Sequence, residues 1–261
     1  MTHGVHALSF LRMCLVVLGV RVHPRFPLIV LSNRDEVYAR PTAAAHSWDD
    51  APIFGGRDLD KAGTWLGLAR ARPTLPFGLV TNVRAPWARK EGRSRGELVR
   101  RALTEDFARI ERNLYPSFNL LFGDADGVFC ADESDAPPEQ LAQGIHGLSN
   151  ARIDVPWPKV RRLETFLEGA MEASDTMFDI DRAVAALRDN AQAAVQDLPD
   201  TGVGSALELA LSAPFLALPG YGTRASTVLV YHRDGSVHFV EQAYGEGGSP
   251  TTRVDVQLTP T

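Results

Sequence analysis

Two groups of apolar, β-branched-rich runs stand at opposite ends of this sequence, with a helix-patterned middle between them. Near the start, residues 14–20 (CLVVLGV) and 28–31 (LIVL) are continuous apolar runs joined by a polar stretch containing Pro24 and Pro27. Runs this short and this rich in valine and isoleucine read as two buried strands of a hairpin. Gly55-Gly56-Arg57-Asp58 is a loop signal, and residues 64–69 and 77–83 are further strand candidates separated by Pro73 and Pro76. At the other end, residues 225–232 and 236–244 flank Asp234-Gly235, the strongest short hairpin signal in the chain, and residues 253–258 follow as another strand.

The middle changes period. Ser94-Arg95-Gly96-Glu97 has the form of a capping box, and Leu98, Val99, Ala102 and Leu103 then suit one face of a helix. A second amphipathic stretch at residues 107–114 is read as extending it. Residues 118–122 and 128–131 form a hairpin pattern around an Asp- and Gly-rich turn at 123–127. That turn is not read as a calcium loop, because it runs into Val128-Phe129 where such a loop needs further oxygen ligands and a glutamate at its twelfth position. From Pro158, the residues Val160, Leu163, Phe166, Leu167, Ala170 and Met171 recur at helical spacing; residues 181–190 form another helix, and Ser205 with Glu208 repeats the capping-box spacing. With no internal repeat or heptad run, two antiparallel strand groups plus helices predict a layered α+β sandwich. At 261 residues, 44% of them hydrophobic, one domain over residues 13–261 is expected, with residues 1–12 a dispensable extension or a misassigned start.

Charge and cysteine usage narrow the function classes. A net charge of −5 and a pI near 5.8 argue against a nucleic-acid or anionic-membrane surface. Cys14 and Cys130 are the only cysteines, too few for a disulfide framework or a thiolate metal cage, so a reducing cytoplasm is expected. The apolar run at residues 13–20 is far shorter than the roughly 20 residues that span a bilayer, and no small-residue cleavage site follows it; neither a transmembrane segment nor export is expected. No H-E-x-x-H or comparable cluster supports a metal site. The basic stretch of Arg84, Arg89, Lys90, Arg93, Arg95, Arg100 and Arg101 reads as a solvated helix face, with propionates, lipid headgroups or an anionic substrate as the functional alternative. His46, His146, His232 and His238 are candidate haem ligands by residue type, but none sits in an attachment motif such as C-x-x-C-H.

Cys14 follows a methionine and opens the first strand. Initiation at Met13 with methionine removal, or cleavage of the Met13-Cys14 bond, leaves its α-amine free. Such an amine titrates at roughly 7.7 to 8.0 and a thiol near 8.5, so one residue then supplies both nucleophile and base. The plainer alternative is a small buried hydrophobe at the head of a strand. Asn33-Arg34-Asp35-Glu36 is expected to end the partner strand beside Cys14: Arg34 favours the thiolate and Asp35 accepts from the α-ammonium, or the four form a solvated strand end with a local ion pair. Asn82 and Asn150, each at the end of a strand-like segment, are candidate oxyanion donors or ordinary turn asparagines. Arg224, ahead of the final apolar strand, orients a carboxylate or phosphate, or caps the sheet.

In order, Met13-Cys14, Ser32-Asn33-Arg34-Asp35-Glu36, Gly55-Gly56-Arg57-Asp58, Gly63-Thr64-Trp65-Leu66-Gly67, Thr81-Asn82, Gly147-Leu148-Ser149-Asn150, Trp157-Pro158-Lys159-Val160 and Tyr221-Gly222-Thr223-Arg224 resemble the NRDE family, also called the transport and Golgi organisation protein 2 family. The resemblance runs from about Met13 to Tyr244. It implies a four-layer αββα sandwich of the N-terminal-nucleophile (Ntn) hydrolase type, two stacked antiparallel sheets flanked by helices, with the nucleophile heading an inner strand. By analogy with cysteine amidases of that fold, which cleave non-peptide amides, it implies Cys14 as nucleophile and base with Asp35 and Arg34 as polar supports. Asn82 and Asn150 then assist the oxyanion or hold the amine, and Arg224 polarises the thiol or fixes substrate. This chemistry requires a chain beginning at Cys14. The family's association with secretory-pathway organisation, lipid homeostasis and haem trafficking supports another expectation: a non-catalytic carrier or chaperone with haem or a lipid as cargo, and no resident cofactor.

Overall fold

In the computed structural model, which describes residues 13–173 and 177–260, the first apolar run forms β1 (Met13–Val20) and turns back through β2 (Leu28–Val37). The expectation for residues 1–12 lies outside the described residues. Alternate side chains of β1 enter different cores. Val16, Leu18 and Val20 pack between two sheets, whereas Leu15 and Val17 pack against helices on the opposite face. A strand buried on both faces reads as an unbroken apolar run, which is why residues 14–20 lack alternation.

The remaining strands, numbered along the chain, are β3 (Thr42–Ser47), β4 (Ile53–Asp58), β5 (Leu66–Ala69), β6 (Phe77–Asn82), β7 (Phe118–Gly123), β8 (Val128–Ala131), β9 (Glu139–Gln140), β10 (Gly144–Leu148), β11 (Ala217–Leu218), β12 (Tyr221–Tyr231), β13 (Val237–Tyr244) and β14 (Pro250–Leu258). The first sheet runs β10-β1-β2-β12-β13-β14, with β11 on β12; the second runs β3 to β9 in sequence order. Pairing is antiparallel throughout both sheets. The chain ends meet because β2 pairs with β12 from Tyr221↔Val37 to Tyr231↔Leu28.

The helices are α1 (Arg95–Thr104), α2 (Pro158–Ala173), α3 (Ile180–Leu187) and α4 (Ser205–Ala210). Val160, Leu163 and Leu167 of α2 and Ala183 and Leu187 of α3 cover the outer face of the first sheet. Leu98, Val99 and Leu103 of α1 cover the second. The result is the expected α+β sandwich, with two stacked antiparallel sheets between helices. Gly147 permits one of these contacts, since a Cβ there would lie 2.1 Å from a methyl of Val160.

Several local expectations change. Gly55-Gly56-Arg57-Asp58 is not a loop but lies in β4, and β3 carries no recognised strand pattern because it is built on three alanines, of which only Ala45 is buried, and ends in exposed His46 and Ser47. Residues 107–114 do not extend α1; they form two short 3-10 turns, Phe107–Arg109 and Arg112–Leu114. Ser94 occupies the N-cap of α1 without a side-chain capping bond. Ser205 is already helical, with Gly204 as cap, and Glu208 is buried in an ion pair instead of closing a capping box.

Candidate functional site

The polar segment after residue 31 does not end its strand. It continues β2 to Val37 between β1 and β12, and so Asn33, Arg34, Asp35 and Glu36 are buried at 0, 5, 2 and 7% exposure. This corrects the expected strand end: β1 and β12 flank the segment within the sheet, the end of α3 covers the face that carries Asn33, and Thr42 and Trp65 lie against the face that carries Arg34. The register pairs Met13 with Asp35 and Cys14 with Arg34.

Each buried group then needs a partner. Asn33 has three: its amide donates to the carbonyls of Leu187 (2.8 Å) and Pro214 (2.9 Å), and its oxygen accepts from Ser226 Oγ at 2.6 Å. It ties β2 to the helical layer and has no part in the cleft. Arg34 faces the other sheet, donates to Thr42 Oγ1 at 3.0 Å, and lays its guanidinium 4.2 Å from the centre of the Trp65 ring. Gly56 makes space for that ring, because a Cβ there would come within 2.3 Å of it. Asp35 Oδ1 accepts from Thr223 Oγ1 at 2.7 Å, while Oδ2 is buried without a hydrogen-bond partner among the described residues.

A cleft of about 60 Å³ opens at this point, lined by Cys14, Arg34, Asp35, Glu36, Trp65 and Asn82 among others. Arg40 binds Asp58 (2.6 Å) and lies 3.6 Å from Glu36, both also on the cleft wall. Cys14 is half-buried. Burial pushes its thiol up to about 12, with the charges of Asp35 and Glu36 acting in the same direction, against Arg34 and the Asp35 backbone N–H. With Met13 attached, Cys14 is therefore a neutral thiol at physiological pH.

The structure thus brings Cys14, Arg34, Asp35 and Asn82 together. Asn150 stands one step behind: fully buried, it donates to the backbone oxygen of Asn82 at 2.9 Å, accepts from Ser149 Oγ at 3.2 Å, and through its own carbonyl accepts from the Arg84 backbone. Ser149 Oγ also donates to the Cys14 carbonyl at 2.9 Å, which ties β1 to this wall. Arg224 is not brought to the cleft wall. It sits at a register shift in β12, and its guanidinium donates to the carbonyls of Val37, Tyr38, Arg40 and Tyr244. A bulge re-aims a side chain in this way; here it aims Arg224 at the β2–β3 turn.

Lys159 was missed. It is 2% exposed, its Nζ has no hydrogen-bond partner among the described residues, and it lies within the field of Asp35, Cys14, Arg84 and Glu208. Its signal was present in the sequence, since positions 159, 163 and 167 share the apolar face of α2 with Leu163 and Leu167. Burial lowers the Lys159 ammonium and raises the Asp35 carboxyl, and each group's charge opposes the shift of the other.

Beyond Asn150 lies a larger pocket of about 560 Å³, lined by Trp87, Phe118, Asn119, Asn150, Val155 and Trp157 among others. Arg84 stacks 5.0 Å from the Trp157 ring and pairs with Glu208 at 2.9 Å. No group of three or more metal-ligating side chains occurs among the described residues, and no helix of theirs is long and apolar enough to cross a membrane.

Residues 13–246 match the pattern of the family described as Transport and Golgi organisation 2. The chain belongs to this family. It is similar to the transport and Golgi organization protein 2 homolog of Homo sapiens, with 34% identity over 84% of this chain and 87% of the relative. The Bos taurus homolog is 32% identical over 87% and 89%, and the Drosophila melanogaster transport and Golgi organization protein 2 is 25% identical over 88% and 92%. The match begins at Met13, the residue before Cys14.

Proposed function

We propose that this member of the transport and Golgi organisation 2 family is a cysteine-nucleophile hydrolase of non-peptide amides, working from a chain that begins at Cys14. The observation that carries the reading is the Cys14 thiol at the head of an inner strand, in a cleft walled by Arg34, Asp35 and Asn82, with one buried Asp35 oxygen uncommitted. The thiol of the longer chain is poorly activated; a freed α-amine supplies the missing base.

In the proposed reaction the α-amine takes the Sγ proton and the thiolate attacks the amide carbonyl. The side-chain amide of Asn82, its backbone held by Asn150, donates to the oxyanion. The α-ammonium returns its proton to the leaving amine as the C–N bond breaks, leaving a thioester on Cys14. Water, deprotonated by the α-amine, then cleaves the thioester to release the acid and restore the thiol. Asp35 orients the α-ammonium, and Arg34, braced on Trp65, supplies positive charge near the thiolate. The cleft has room for the reacting carbonyl and little else, so the acyl part is assigned to the neighbouring aromatic pocket.

The test is the intact mass and N-terminal peptide of the purified protein, together with turnover of N-acyl amino acids by a chain produced with Cys14 first. Hydrolysis together with a trapped thioester, both lost in Cys14→Ala, supports the reading. A working form that retains residues 1–13, or turnover surviving Cys14→Ala, overturns it.

A second reading, a non-catalytic carrier or chaperone for haem or a lipid, is favoured by the 560 Å³ pocket lined by Trp87 and Trp157 and by the relatives' names, which speak of transport. It predicts stoichiometric quenching of tryptophan fluorescence by a cargo, unchanged in Cys14→Ala and without turnover.

A further inference from the structure

Two buried groups of opposite charge flank the head of β1 without touching. Asp35 Oδ2 and Lys159 Nζ each lack a hydrogen-bond partner among the described residues, and no ion pair within 4.0 Å joins them. Trp157 and Val160, on either side of Lys159, pack with Leu15 and Val17 of β1, and Asp35 lies on the face of β2 from which Asn33 bonds the Leu187 carbonyl, so both groups belong to the layer between this sheet and its helices. The charge of each favours the ionised form of the other. Burying an ammonium costs several kcal/mol unless its charge is answered, so the fold has reason to keep this lysine only if its field does something.

The register limits what that is. Met13 pairs with Asp35 and Cys14 with Arg34, so the Cys14 nitrogen lies on the rungs beside Asp35, about one strand spacing (~4.8 Å) from the β2 backbone. We propose that Lys159 is a positioning residue of the Cys14 site: its buried ammonium keeps the Asp35 carboxylate ionised, so that Oδ2 can receive the α-ammonium of a chain beginning at Cys14. The second half of this statement rests on the hydrolase reading; the first half holds for the longer chain as well.

Each partner is faced by groups of both signs. Asp35 is met by Lys159 of α2 and Arg34 of β2, which favour its charge, by Thr223 of β12, which donates to Oδ1, and by Glu36, which opposes its charge. Lys159 and Arg34 both act to keep Asp35 charged. Lys159 itself is supported by Asp35 and by Glu208 of α4 and opposed by Arg84 after β6. Arg84 is already paired with Glu208, and Arg34 is shared among Thr42, Trp65 and Glu36. Lys159 is thus the cation whose charge is left to act on Asp35.

The experiment follows the carboxyl carbon of Asp35 by NMR through a pH titration of protein labelled with ¹³C-aspartate, the resonance being assigned by its loss in Asp35→Asn. Lys159→Met should raise the midpoint by at least about one pH unit, the lower end of what an opposite charge at this range produces, and Lys159→Arg should restore most of it. A midpoint unmoved in Lys159→Met overturns the proposal. If that variant does not fold, a stability cycle of Lys159→Gln against Asp35→Asn decides: the lysine change should cost less when Asp35 is already neutral, and strict additivity overturns the coupling. In a Cys14-first chain the acid limb of amide turnover should move upward with the Asp35 midpoint in Lys159→Met, with kcat falling and KM little changed. Absence of turnover from every Cys14-first protein, with the carbon titration behaving as expected, overturns the catalytic half and leaves the charge coupling standing.

Discussion

The guanidinium of Arg34, in β2 of the first sheet, lies 4.2 Å from the centre of the ring of Trp65, the residue before β5 of the second, and the ring in turn rests where Gly56 has no side chain. Gly55-Gly56, Gly63-Thr64-Trp65 and Arg34 are therefore parts of one object. A Gly56→Ala change pushes a methyl into the ring and should destabilise the fold by about 1–3 kcal/mol, as overpacking does. The midpoint of urea unfolding measures this; wild-type stability in Gly56→Ala would refute the close seating of the Trp65 ring on Gly56.

Asn33 has its amide nitrogen shared between two buried carbonyls and its oxygen bonded to Ser226. Asn33→Ala strands all three partners at a cost of about 1–3 kcal/mol each at most. The expected signature is a large loss of stability with early hydrogen exchange in α3, whose Leu187 carbonyl loses its donor. A surface-like effect of a few tenths of a kcal/mol would contradict this placement.

The Arg84–Glu208 pair is buried, its side chains 10 and 2% exposed, with Glu208 also accepting from the Thr201 backbone and hydroxyl. Removing one partner of such a pair costs about 3–5 kcal/mol. Glu208→Gln, which keeps the shape and the acceptor but not the charge, should recover part of what Glu208→Ala loses. Equal losses in the two variants would assign the effect to packing.

Glu241 sits between the sheets, accepting from the Ala45 backbone at 2.8 Å, and burial raises its carboxyl to about 7. The folded chain then holds this proton more tightly than the unfolded chain, whose glutamate titrates near 4.5. Its contribution to stability is complete below about pH 4.5 and is lost as pH rises through 7, a swing of about 3 kcal/mol at 1.36 kcal/mol per unit. Glu241→Gln should flatten that part of the stability profile. An unchanged slope between pH 5 and 7 would show that other groups set it.

With residues 1–13 attached, burial holds the thiols of both Cys14 and Cys130 at about 12. Iodoacetamide at pH 8 should label each about a thousandfold more slowly than in the unfolded chain, since the thiolate is the reacting form. Peptide mapping separates the two sites. Rapid labelling of Cys14 in the folded longer chain would mean that the thiol is activated without its α-amine.

The sequence alone determined the strands at both ends, the helices from residues 95 and 158, and the order of motifs that carries the family. These are local matters, set by apolar period, turn residues and helix starts. Cys14, Arg34 and Asp35 were legible as a group because the hairpin places β2 beside β1, whereas Asn82, at the end of β6 in the other sheet, joined them only through the family resemblance. Only the tertiary structure decided that Asn33 to Glu36 lie inside a strand that runs six residues past Leu31, flanked by β1 and β12, and not at its solvated tip. Pro214, Thr223 and Ser226, which bond Asn33 and Asp35, come from chain positions more than 180 residues away, which no window of sequence brings together. The same is true of Arg224, aimed at a turn by a register shift, and of Lys159. A lysine on an apolar helix face can be read in sequence, but the carboxylate it answers belongs to another layer of the sandwich.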